Sequence, residues 1–297
     1  MTAVTSRREP SPAADLTAPR RKRRLTSIDV VKRVLGYMLI ALLIVFCVVP
    51  FAWVVLSAVD ANAGPNVQAP SLSLDNFVHF FTDSGTPRLL VNSLVIGVGA
   101  TALNLVLGLA GGYALARFEF RGRRLFMFGI LLVRVVPAPA TIVALYLIMV
   151  KLELTNTLHG LILVEAVLQL PITLWLLKGT VSAVPIELEE AAWLDGSTRI
   201  QAIRRVVLPL VGPGLGAAAM LTFMGVWGDF LTPLVMLQSQ ELYPLSIGLF
   251  RAFSEHNQVD WGLLAASSVV YMAPPAILYV FVRKHLLRSS LGGALKG

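Results

Sequence analysis

Cysteine is almost absent from this sequence. Cys47 stands alone in an apolar run, so no disulfide can close within the chain. Histidine is nearly as rare: His79, His159, His256 and His285 are scattered without metal-ligand spacing, and no metal centre is expected. There is no G-x-x-x-x-G-K-[ST] phosphate loop, which excludes ATP hydrolysis by that route. A nucleophile elbow and an H-E-x-x-H pair are missing as well. Charge is also in short supply, at 14% of residues against about 25% in soluble domains. These deficits predict a chain that carries out no bond chemistry of its own and that meets lipid rather than water.

What the sequence has is apolar length. Hydrophobic residues make up 56% of the chain, and about 20 of them in helical form cross about 30 Å of hydrocarbon. Six stretches qualify: Val34–Val59, Leu89–Ala116, Leu125–Val150 (interrupted by Arg134), Leu154–Leu177 (His159 and Glu165), roughly Pro213–Leu237 (Asp229) and Trp261–Val282. The first is too long for a signal-peptide core and no small-residue cleavage site follows it, so a retained helix is expected.

The net charge of +8 is explained by where the basic residues fall. Lysine and arginine number 21 on the side holding both termini and the loop between spans four and five. Only three, Arg88, Lys151 and Arg251, fall on the other side. The positive-inside rule therefore places both termini in the cytoplasm of a multi-pass cell-membrane protein. The run Arg20–Arg24 reads as an anchor beside anionic lipid, with no nucleic-acid partner expected. Residues 1–30 form a basic arm expected to be disordered, 31–284 the membrane domain and 285–297 a cytoplasmic tail.

The loop over 182–209 reads SAVPIELEEAAWLDGSTRIQAIRRVVLP, counting its flanks. Pro185 suits a first helical turn, and Glu187, Glu189 and Glu190 complement its positive dipole end. Ile186, Ala191 and Leu194 are spaced as one apolar stripe. Gly196 fits a left-handed stop. Ser197 or Thr198 suits the cap of a second helix whose last turn carries Arg204 and Arg205, and Leu208–Pro209 should break it. The predicted fold is thus an all-α membrane protein: six transmembrane helices with a cytoplasmic two-helix knob between spans four and five. A knob that merely lies on lipid is disfavoured, because its acidic residues would be repelled by an anionic leaflet.

Glu190-Ala191-Ala192, three residues, Gly196, nine residues and Val206-x-Leu208-Pro209 together resemble the EAA signature of ABC importer permeases, with Val206 where that family has isoleucine. The span-two ending GGYALARFEFRGRRL is similar to carbohydrate permeases of the maltose type. Trp227-Gly228-Asp229-Phe230 is similar to that group's W-N-[DE]-[FL] pattern, with Gly228 in place of asparagine. The terminal GGALKG resembles the tail of the smaller maltose-type permease.

The resemblance implies a knob that docks on a separate ATPase through Glu190, Ala191, Ala192, Asp195, Gly196, Leu208 and Pro209, with Glu190 pairing a basic ATPase residue. It also implies that Ala294, Leu295, Lys296 and Gly297 enter the groove between two ATPase subunits. The implied partners are a second permease, two ATPases carrying ATP and Mg²⁺, an extracytoplasmic solute-binding protein that meets the loops Asp60–Arg88 and Gln238–Asp260, and membrane lipid. This chain itself would bind no cofactor.

A charge at mid-bilayer costs roughly 2.5–3.5 kcal/mol on insertion scales, so it should face protein or a watery cavity. Arg134, just before the helix-breaking Pro137 and Pro139, and Glu165 in the next span fall at similar depth. An ion pair between them, a place in a translocation path, and separate partners on another chain are all open readings. Trp227 and Asp229 are further path candidates. For the solute, a sugar or oligosaccharide is the first reading, with a polyamine or a glycerophosphodiester as alternatives. An ion-coupled carrier would predict duplicated halves, and gives no reason for the knob.

Overall fold

The computed structural model describes residues 27–66, 70–83, 85–254 and 259–294. Helices account for the architecture: α1 (Ser27–Ala58), α2 (Asp75–Thr82), α3 (Thr86–Arg117), α4 (Arg123–Leu132), α5 (Ala138–Lys151), α6 (Leu158–Ser182), α7 (Glu187–Leu194), α8 (Arg199–Ala202), α9 (Leu208–Leu210), α10 (Gly212–Trp227), α11 (Leu231–Met236), α12 (Leu245–Ser254) and α13 (Trp261–Ala294). Among the described residues the only β pairing is an isolated bridge, Asp60 with Leu72.

Four helices are long and apolar enough to cross a membrane: Val31–Ala58, Thr86–Arg117, Leu158–Ser182 and Trp261–Arg283. Two further pairs qualify only when each is taken as one bent span, Arg123–Val135 with Pro139–Lys151 at 105° and Arg199–Leu210 with Gly212–Trp227 at 76°. The first bend lies where the two prolines predict it. Val136 turns extended ahead of Pro137, as the residue before a proline must when its ring excludes the α conformation.

The expected fifth span is shorter than its hydropathy suggests. α10 ends at Trp227, and the chain restarts as α11 only at Leu231. Asp229 accounts for the restart: its carboxylate accepts from the Leu231 and Thr232 amides at 2.8 and 3.2 Å and from the Thr232 hydroxyl at 2.6 Å. A side chain that satisfies the free amides of a new helix start competes with continuing the old one.

The chain divides into two compact units at Phe51. In the first, Val31–Phe51 is an apolar helix exposed along its length except at half-buried Gly36. In the second, α3 and α6 pack at close range. A Cβ on Gly112 would sit 3.0 Å from the Lys178 amide nitrogen and 3.1 Å from the Leu177 Cβ, so a larger residue would press the two helices apart by a few tenths of an ångström. Ile96 and Ala100 of α3, Leu161, Val164 and Ala166 of α6, and Val226 of α10 form the main apolar cluster.

A buried polar chain runs through the same three helices. Asn104 Nδ2 donates to the Ala166 carbonyl at 2.7 Å, its Oδ1 accepts from Thr222 at 3.1 Å, and the Thr222 and Thr173 hydroxyls are 3.1 Å apart. Asn104 is wholly buried, so each of these bonds replaces one that water would otherwise make.

Candidate coupling site

The site is assembled from α7 and α8 and the chain around them. α7 opens after Pro185 with Glu187, Glu189 and Glu190 in its first turn, acidic side chains at the positive end of the helix. It closes in a Schellman arrangement: the Ser197 amide donates to the Ala192 carbonyl at 2.9 Å and the Gly196 amide to the Trp193 carbonyl at 3.0 Å. Gly196 has φ +86°, the left-handed region where a Cβ is disfavoured. The fixed interval from Ala192 to Gly196 is therefore the interval this stop requires. Thr198 then caps α8 reciprocally, its hydroxyl accepting from the Gln201 amide at 3.3 Å while its own amide donates to Gln201 Oε1 at 2.8 Å.

One expectation for this loop needs correcting. Leu208–Pro209 does not break the second helix. Ile203–Val207 widens into a π-helical turn and Pro209 falls in the first turn of α9. Proline has no amide to donate and its ring crowds the carbonyl four residues back, and a widened turn relieves both problems without ending the helix. The change of direction comes at Val211. The apolar stripe faces outward: Ile186, Ala191 and Leu194 are all exposed, Leu194 at 90%.

The buried residue of α7 is Glu189, at 0% exposure. Its Oε1 accepts from Arg117 Nε at 2.7 Å and lies 2.6 Å from Arg117 Nη2, and its Oε2 accepts from the Tyr113 hydroxyl at 2.7 Å. Arg117 Nη2 also donates to the Val184 carbonyl at 2.9 Å. Arg199 of α8 lies 5.7 Å from the ring centres of both Phe118 and Trp193, within cation–π range. With its inner face held in this way, the pair presents Leu188, exposed Glu190, Leu194 and Ile200 (77% exposed) on its surface.

Sequence reasoning gives Glu189 only a place at the positive end of the first knob helix, and it singles out neither Tyr113 nor Arg117 as its partner. The available signal was that Tyr113 and Arg117 lie in the GGYALARF segment, which was noted without a contact being assigned to it. Of the tail residues, Ala294 is the last of α13, while Leu295, Lys296 and Gly297 lie outside the described residues, as does the arm over 1–26.

The residues within the apolar spans divide differently. Arg134 donates to Gln169 Oε1 at 2.7 Å. The Arg134–Glu165 pair is not formed: Gln169, one α6 turn beyond Glu165, takes the guanidinium. Glu165 is fully buried, and neither of its carboxyl oxygens has a hydrogen-bond partner among the described residues. Trp227 is also buried, stacked between Phe223 and Tyr271 at ring separations of 5.2 and 5.3 Å, with its indole N–H donating to the Tyr271 carbonyl at 3.1 Å. Asp229 is half-buried and caps α11.

Residues 104–290, which contain this whole site, match the family described as binding-protein-dependent transport system inner membrane component. The chain is 37% identical to the diacetylchitobiose uptake system permease protein DasC of Streptomyces coelicolor, over 74% of this chain and 81% of that one. It is 33% identical to the arabinooligosaccharides transport system permease protein AraQ of Halalkalibacterium halodurans, over 76% and 81%. It is 28% identical to the trehalose/maltose transport system permease protein MalG of Thermococcus litoralis, over 91% and 99%. Among solved structures, a bacterial ABC transporter involved in the import of the acidic polysaccharide alginate superposes with a TM-score of 0.76 at 20% identity. That match covers 87% of this chain and 98% of that one, and it shows a shared fold. The chain belongs to the binding-protein-dependent transport system inner membrane component family and is a multi-pass membrane permease.

Proposed function

We propose that this chain is one of two permease subunits of an ATP-driven importer for a sugar or oligosaccharide. It crosses the membrane six times with both termini in the cytoplasm, and the knob over 182–209 docks on an ATPase. The observation that carries the reading is the knob itself: two helices bent at Gly196, anchored from behind through Glu189, with Glu190, Leu194 and Ile200 left facing out. Apolar side chains held outward on a rigid bend suit a cleft in a partner protein better than water.

Glu190 pairs a basic ATPase residue, and Ala191, Ala192, Asp195, Gly196, Leu208 and Pro209 shape the docking surface or its return to the membrane. The tail Ala294–Gly297 enters the groove between two ATPase subunits. ATP and Mg²⁺ are bound there and not by this chain, whose role is conformational rather than enzymatic. Closure of the ATPase pair rocks the knob and alternates access along a path shared with the second permease. Arg134, exposed in this chain, offers a cationic group to that path, and Glu165, Trp227 and Asp229 are assigned to its supporting wall. A solute-binding protein delivers the cargo to the outer loops. The sugar class is supported by the relatives, which are named for diacetylchitobiose, arabinooligosaccharide and trehalose/maltose transport.

Replacing Glu190 by lysine tests the coupling. The variant should accumulate in the membrane as the parent does, while uptake falls at least about tenfold with ATP hydrolysis retained, since a charge-assisted contact turned repulsive exceeds about 1.4 kcal/mol. Unimpaired uptake would contradict the assignment. Competition of uptake by diacetylchitobiose, maltose and trehalose, set against spermidine and glycerophosphocholine, tests the solute class. Competition only by the last two would overturn the sugar reading.

A further inference from the structure

The knob is joined covalently to α6 on one side and, through α8 and α9, to α10 on the other. It has no covalent link to α3, whose last turn lies some seventy residues upstream, yet α3 holds it by the most specific contacts in the region. Glu189 is the only buried residue of α7, and every hydrogen bond to its carboxylate comes from α3: two from Arg117 and Tyr113, beside the short Arg117 Nη2 contact. The same guanidinium holds the Val184 carbonyl, in the link between α6 and α7. Tyr113 also packs against the apolar cluster formed by Val181, Val184, Val207 and Val211, residues at the two ends of the knob. Phe118, immediately after α3, receives Arg199 of the second knob helix. The six residues from Tyr113 to Phe118 thus grip both helices of the bend.

A buried ion pair adds little net stability compared with well-packed apolar side chains, because desolvation offsets most of the Coulomb attraction. Leucine and methionine would therefore fasten the loop about as well. What apolar contact cannot supply is direction. A planar guanidinium and a phenol converging on one carboxylate fix both the distance and the orientation of α7 relative to α3. An apolar interface would allow the helices to slide.

We propose that Arg117 and Tyr113 are positioning residues that clamp the knob to α3 through Glu189. Displacement of the knob by the ATPase is then delivered directly to α3, as well as through the flanking α6 and α10. The proposal rests on the coupling function above, and its test separates the two.

The assembled complex is purified through a tag on this chain, carrying Cys47→Ser and a single reporter, Val91→Cys. Val91 is exposed near the start of α3, at the end opposite the clamp. The rate of reporter labelling by a membrane-impermeant maleimide is compared with and without ATP and vanadate, and the ATPase retained per chain is measured on the same sample. In the parent, nucleotide should change the labelling rate by about fivefold or more, the lower end of ordinary coupling between sites. Glu189→Gln should shrink that response below about twofold while the ATPase stays bound, with Tyr113→Phe and Arg117→Lys intermediate, since the first removes one bond to the carboxylate and the second keeps the charge but not the planar fork. A fastening role alone would lower chain recovery and ATPase retention together and leave the response of the recovered complex intact.

The proposal is overturned if Glu189→Gln and Tyr113→Phe respond as the parent does, or if the parent reporter shows no nucleotide response. Should Glu189→Gln fail to accumulate, Tyr113→Phe, which removes one hydroxyl without changing shape, decides by the same criterion. Absence of any ATPase from the parent complex would instead overturn the coupling reading itself.

Discussion

Adjacent glutamates at 189 and 190 have opposite fates. Both stand in the first turn of α7 and both favour its dipole, so sequence alone gives them the same reason to be there. Helix phase separates them, turning Glu189 inward and Glu190 outward. The partners that make the inward position tolerable, Tyr113 and Arg117, are supplied by a different span, and no local pattern announces them. The EAA spacing was legible because it is local: the interval from Ala192 to Gly196 is set by the hydrogen bonds that end one helix. Asn104 presents the same problem of distance, since its partners Ala166 and Thr222 come from α6 and α10. Replacing Asn104 by alanine should leave the Thr222 hydroxyl without its acceptor and open a small cavity. A cost of about 1–3 kcal/mol is expected, seen as a lower thermal midpoint of the detergent-solubilised protein. An unchanged midpoint would mean that this polar chain does not hold the three helices together.

At the scale of elements, continuous apolar length was a dependable guide. α3 and α13 cover the runs that hydropathy marks, α1 stops one residue short of its run at Ala58, and α6 begins at Leu158 rather than Leu154, while each helix extends beyond its apolar part at one end or both. The break in span three was visible too, because proline acts on its immediate neighbours. The end of α10 at Trp227 was hard to see, because Gly228 alone is a weak stop inside an apolar run and an aspartate that caps the next helix looks in sequence like a lone intramembrane charge. The π turn at Ile203–Val207 escaped notice for a related reason: Pro209 predicts disruption, but not which form it takes. The bend between α7 and α8 depends on Gly196 at φ +86°. Gly196→Ala meets no steric obstacle from neighbouring residues, so its cost is the left-handed backbone alone, about 1–2 kcal/mol. The variant should remain in the membrane, with the loop cut by protease several-fold faster than in the parent. Equal cleavage rates would show that the bend does not rely on glycine.

At the scale of the whole molecule, many of the exposed side chains are apolar. Val31–Phe51 of α1 and much of α4 and α5 present leucine, valine and phenylalanine outward. Surfaces of that composition belong against lipid or another apolar protein, as in a multi-pass membrane permease. In the proposed function the power comes from a partner ATPase, and the outward-facing knob is the surface proposed to receive it. The most direct test of that claim is how much ATPase remains on the tagged chain, purified from its native membrane, when Leu194 is changed to aspartate. Leu194 supports no fold contact at 90% exposure, so the variant should accumulate normally yet retain less than about a tenth of the parent's ATPase, as expected for loss of a central apolar anchor. Full retention of the ATPase by Leu194→Asp, or none on the parent chain, would contradict the account.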